Sequence, residues 1–88
     1  YLGSADLTGA DLTGTNLTGA TLTGADLSNA IFDNTTMIDA NMQGAITDGA
    51  DLSSNPAIVY GNTICPDGTN SDHNDGMTCE GHEYVPVP

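Results

Sequence analysis

From Ala5 onward the chain repeats one hydrophobic pattern with a period of five residues. The blocks read ADLTG, ADLTG, TNLTG, ATLTG, ADLSN, AIFDN, TTMID, ANMQG, AITDG and ADLSS, in register without an insertion. Their third positions are Leu7, Leu12, Leu17, Leu22, Leu27, Phe32, Met37, Met42, Thr47 and Leu52, all large and apolar except Thr47. Their first positions are always Ala or Thr, and the other three columns are mostly Asp, Asn, Thr, Ser and Gly. A period of five fits neither the 3.6 of a helix nor the 2 of a strand. It fits a chain that turns a corner every five residues, hiding one large and one small side chain per edge. Gly and Asn in the fifth column, such as Gly9 and Asn29, suit corners that need permissive backbone angles.

This pattern resembles the pentapeptide-repeat family, whose signature is A(D/N)LXX. The resemblance implies an all-β fold, a right-handed quadrilateral parallel β-helix in which four blocks make one coil. Residues four blocks apart then stack: Leu12 with Phe32 and Leu52, Leu7 with Leu27, Leu22 with Met42, and Thr15 with Thr35 and then Asn55. The implied division is a β-helix over residues 1–54, under three coils tall, and a loop-rich C-terminal cap and tail over 55–88. Two departures stand out. The hydroxyl of Thr47 in the core column needs a partner, such as a backbone carbonyl, or marks the fading end of the coil. Ile31, Ile38 and Ile46 occupy outward columns, as single exposed apolar residues or as a contact surface.

After Asn55 the pattern gives way, with Ala57 holding register once more and Ile58, Val59 and Tyr60 forming a short apolar strand candidate. Cys65 and Cys79 bracket a turn-rich segment, and an even pair in a small loop-rich region reads as a disulfide, with two free thiols as the alternative. The stretch TICPDGTNSD…TCEGH resembles the C-terminal cap of pentapeptide-repeat proteins exported to the periplasm or thylakoid lumen, which implies both the disulfide and an exported setting. Asp67, Asp72 and Asp75 are weak calcium candidates, since hard oxygen ligands suit that ion. The calcium-loop pattern does not match: counting back from Gly76 gives Asp75, His73 and Ser71, with no bidentate Glu at the twelfth position. Turn chemistry explains these residues better, and His73 with His82 is a poorer zinc pair still. No metal and no other cofactor is expected.

Twelve acidic residues face no Lys and no Arg, for a formal charge of −12. Nucleic-acid binding by phosphate neutralisation needs basic side chains, so that class is excluded, and anionic membrane surfaces are disfavoured. No apolar run is long enough to span a bilayer. The start at Tyr1, inside a repeat, reads as a processed product or an expressed fragment whose targeting segment is gone. An uncapped coil exposes unpaired backbone groups and apolar edges, a template for pairing. The expectation is therefore a non-enzymatic, extracellular structural protein, a homo-oligomer or filament built by coil stacking. Tyr1 and Leu2 at one end, and Tyr84, Val85 and Val87 in the Val/Pro tail, are its contact residues. The alternatives are a monomeric periplasmic or lumenal protein-binding module and, less favoured, a duplex-DNA mimic that inhibits topoisomerases, as some family members do. No catalytic residues and no small-molecule substrate are expected, because no base or electrophile is clustered in the sequence.

Overall fold

Each block bends because its central residue opens a four-residue turn. The N–H of Ala10 donates to the Leu7 carbonyl at 2.9 Å, and the same bond recurs from Ala5 to Leu2 at 3.1 Å and from Ala50 to Thr47 at 3.0 Å. The third turn residue has positive φ throughout, from Gly9 at 72° to Asn34 at 57° and Asp39 at 61°. One left-handed residue in that place is the signature of a type II turn. Gly and Asn enter it at least steric cost, which is why they fill the fifth column.

The computed structural model describes residues 2–50, 52, 58–73 and 79. Parallel bridges join Asp6 to Asp26, Asp11 to Ile31, Asn16 to Thr36 and Thr21 to Asn41, each pair separated by four blocks. Four turns therefore return the chain to its starting side, one coil higher. The four sides are identified here by their lowest central residues: the Leu2, Leu7, Leu12 and Leu17 sides.

The block Ala25 to Asn29 shows why the repeat takes its composition. Ala25 N–H closes the turn onto Leu22, Asp26 N–H reaches down to the Ala5 carbonyl, and Leu27 and Asn29 N–H reach up to the Ile46 and Asp48 carbonyls, all at 2.7–3.0 Å. That leaves the Ser28 N–H, and Asp26 Oδ1 accepts it at 3.0 Å. The Asp or Asn of the second column thus satisfies the one backbone donor that neither ladder nor turn can use. Asp6 serves Thr8, Asp11 serves Thr13, Asn16 serves Thr18 and Asn41 serves Gln43 in the same way.

Inside, Leu22, Leu27, Met37 and Met42 are fully buried, with Phe32 and Leu52 at 2%, and Ala25, Ala40 and Ala45 fill the small column. Removing each large side chain from water contributes about 1.5–3 kcal/mol. Leu17 is buried too, but Leu7 and Leu12 are only half-buried. They belong to the first coil, which has a neighbour above and none below among the described residues.

Above the second coil the spacing changes. Thr36 pairs with Val59 and Asn41 with Ile64, a step of four blocks plus three residues in place of four blocks. Three extra residues have entered between Leu52 and Ile58, so the coil does not stop at residue 54. Residues 58–62 and 63–67 are two further blocks, and the stack completes three coils and begins a fourth. Asn55 and Ala57 lie outside the described residues, but the shift gives the place above Thr35 to buried Ile58 and the place above Met37 to Tyr60. The polar column therefore ends at Thr35, whose hydroxyl donates to the Leu12 carbonyl at 2.8 Å. On the neighbouring Leu2 side Thr63, above Ala40, makes the equivalent bond to Met37 O at 2.7 Å.

The chain then folds back. Ile64 pairs antiparallel with Asn70, Gly68 N–H closes a turn onto Cys65 O at 2.8 Å, and Ser71 opens a 3-10 helix, Ser71–His73. This hairpin sits over the Met42 column, and Cys65 bonds to Cys79 with both residues fully buried.

Candidate interaction surfaces

Side chains in the second and fourth columns point outward, and their charges are segregated. The Leu7 side shows Asp6, Asp26 and Asp48, and the Leu12 side shows Asp11 and Asp33. The Leu17 side shows Asn16, Thr18, Thr36, Ile38, Val59 and Gly61, and the Leu2 side shows Thr21, Thr23, Asn41, Gln43 and Ile64, with no carboxylate on the flat of either among the described residues. Asp39 stands at the corner between these two uncharged sides, where Oδ1 accepts the Asn62 side-chain N–H at 2.9 Å. Nothing in the linear sequence displays this division, because residues of one side are four blocks apart; folding the sequence at that period reveals it.

The three outward isoleucines do not form one patch. Ile31 lies on the Leu12 side, Ile46 on the Leu7 side and Ile38 on the Leu17 side. Ile38, however, shares its side with Val59 on the next coil, and the two are 38% and 43% exposed.

Asp11 and Asp26 are held below the usual carboxylate range near 3.8. The hydroxyls and then the backbone N–H groups of Thr13 and Ser28, respectively, are the causes, since both favour the ionised form.

The first coil presents a second surface. In the second coil Asp26, Ile31 and Thr36 donate downward to Ala5, Ala10 and Thr15. Their first-coil equivalents Asp6, Asp11 and Asn16 have no backbone partner below among the described residues. Beside them lie half-buried Leu7 and Leu12 and Leu2, which is 37% exposed.

Of the residues singled out in the sequence, Cys65 and Cys79 meet in the disulfide, and Leu2 lies on this lower edge. Tyr1, Tyr84, Val85 and Val87 lie outside the described residues. So do Asp75 and His82. Asp67 is a turn acceptor, its Oδ1 taking the Thr69 N–H at 2.9 Å, whereas Asp72 Oδ1 reaches back to accept the Asn62 N–H at 3.0 Å. Among the described residues no three Asp, Glu, His or Cys converge, no pocket forms, and no helix is long and apolar enough to cross a membrane. The Thr47 hydroxyl, read from the sequence either as bonded to a partner such as a backbone carbonyl or as marking the fading end of the coil, is buried without any partner among the described residues.

Coils of four type II turns, joined by parallel bridges around an apolar core, define a β-helical solenoid. Residues 1–37 match the family model for pentapeptide repeats, in eight copies. A crystal structure at 2.0 Å of HetL, a pentapeptide repeat protein involved in heterocyst differentiation regulation from the cyanobacterium Nostoc sp. strain PCC 7120, is 33% identical with a TM-score of 0.51. The similarity covers 76% of this chain and 32% of HetL, so the chain spans about a third of that protein's length. No curated protein matches it. The chain belongs to the pentapeptide-repeat family, and that kinship makes its solenoid a right-handed β-helix.

Proposed function

We propose that this chain is a non-enzymatic structural module of an exported protein, and that wherever its first coil ends the stack it associates with a second copy through the lower edge of that coil. The observation that carries this reading is the row of downward backbone groups at Asp6, Asp11 and Asn16, which lack, among the described residues, the partners that Asp26, Ile31 and Thr36 possess. Each of these residues turns both its N–H and its C=O to the same edge. Asp26 uses the same pair of groups in a parallel bridge, and the pair equally suits the hydrogen-bonded position of an antiparallel ladder, the geometry two identical edges adopt about a two-fold axis. The buried Cys65–Cys79 bridge supports the exported setting, since such bonds persist in oxidising compartments.

The test is amide hydrogen exchange followed by NMR over a concentration series. In dilute protein the amides of Asp6, Asp11 and Asn16 exchange fast while those of Asp26, Ile31 and Thr36 are protected. Association brings protection to the first three. Dimerisation with those amides still fast, or a monomer at millimolar concentration, refutes the reading.

A further inference from the structure

We infer that the uncharged Leu17 side is a second, lateral self-association surface, through which two copies pair side by side. The proposal is independent of the edge contact above, because it uses outward side chains and no free backbone group.

The first ground is electrostatic. A copy carries −12 and offers no Lys or Arg, so no such salt bridge can offset the approach of two copies. Any contact through the Leu7 or Leu12 sides sets rows of carboxylates against each other, and like charges face to face disfavour a pairing. Among the described residues the flat of the Leu17 side carries Asn16, Thr18, Thr36, Ile38, Val59 and Gly61 and no carboxylate. The second ground is chemical. Ile38 and Val59 are the apolar pair that shares one side on successive coils, and both remain exposed. Gly61 lies directly above Ile38, and a Cβ built there would stand in ordinary contact with Ile38, 3.5 Å from Cγ1. Around them Asn16, Thr18 and Thr36 carry donors and acceptors together, so the surface complements itself.

Symmetry then fixes the orientation. Asp39 borders this side at one corner, where Asp72 joins it by accepting the Asn62 N–H, and Asn34 borders it at the other. A two-fold axis parallel to the coil axis exchanges the corners, so each Asp39 meets its partner's neutral Asn34 corner. An axis along the strands brings the two Asp39 corners together. The parallel axis is therefore the one adopted. A side three strands tall, at about 4.8 Å per strand, buries on the order of 300 Å² per copy. That is well below the roughly 800 Å² per partner of a stable complex, so the pairing is weak and reversible. Added salt strengthens it by screening the net charge, opposite to a contact built on ion pairs.

The experiment is NMR of the intact chain from 20 µM to 2 mM, at low salt and at about 0.5 M NaCl, reading isoleucine and valine methyls together with backbone amides. Expected are concentration-dependent shifts at Ile38 and Val59, none at Ile31 or Ile46, and an increase with salt. V59D weakens the dimer at least tenfold, whereas I46D on the acidic Leu7 side leaves it unchanged; thermal melts show both variants folded. Should V59D fail to fold, I38T replaces it. Protection confined to the amides of Asp6, Asp11 and Asn16, with silent Ile38 and Val59 methyls, overturns this proposal and leaves the edge reading standing. Equal weakening by I46D, or no association at 2 mM, overturns it as well.

Discussion

Thr47 is the place where this core departs from its own rule, and its replacement by Val tests the physical account directly. Thr47 occupies a central column, 4% exposed, above fully buried Leu27, and its Oγ1 has no hydrogen-bond partner among the described residues. A buried hydroxyl left unpaired costs about 1–3 kcal/mol in lost hydration. Valine has nearly the same shape and no hydroxyl, so T47V removes that cost without opening a cavity. The expected gain is about 1–2 kcal/mol, and at roughly 4–8 °C per kcal/mol for a domain of this size the melting temperature rises by roughly 4–16 °C. Thr35 supplies the control. It is equally buried, but its hydroxyl donates to Leu12 O at 2.8 Å, so T35V loses a made bond and destabilises by about 0.5–1.5 kcal/mol. Urea and thermal unfolding of both variants read the signs, with an unchanged m-value showing that the folded and unfolded surfaces are as before. A T47V variant that is neutral or less stable at constant m refutes the reasoning.

Three further outcomes follow from the same structure. Reducing the Cys65–Cys79 bond, which closes a loop of sequence separation 14, lowers stability by about 3 kcal/mol in the chain-entropy model, read as the shift in urea midpoint with and without reductant. Gly14 and Gly49 share a left-handed φ, of 70° and 75°, but an added Cβ meets nothing at Gly14 and collides with Asn29 Oδ1 at Gly49. G49A therefore melts lower than G14A, and both are less stable than the parent by about 1 kcal/mol or more; equal losses in the two variants exclude the Asn29 contact. Because Asp11 and Asp26 have depressed folded pKa values, the stability they contribute is present above the unfolded value near 3.8 and is lost as pH falls through their lower folded values. Melts from pH 5 to pH 2 then fall less steeply for the D11N/D26N double variant than for the parent, and identical slopes contradict the assigned hydrogen bonds.

The five-residue period and the choice of Leu, Ala and Gly or Asn in fixed columns determine where the chain bends and which side chains turn inward, because each block solves the same local problem. A type II turn needs a left-handed residue, and the fourth-column amide needs the carboxylate or amide oxygen two residues earlier; both demands are written within a single block. Tertiary structure alone decides the rest. The three-residue step between Leu52 and Ile58 hides two later blocks, because Ile58 and Tyr60 fill columns that the earlier blocks give to Ala or Thr and to Leu, Met or Phe. Only stacking shows that Ile58 sits over Thr35 and Cys65 over Met42. The charge division depends on the same long-range register. Asp6, Asp26 and Asp48 are far apart along the chain and become one acidic side only when parallel bridges between every fourth block align them. The fate of the Thr47 hydroxyl is equally non-local, since partners for a core side chain come from other coils. Local sequence sets the shape of each turn, and the contacts between coils set what each side of the finished prism presents.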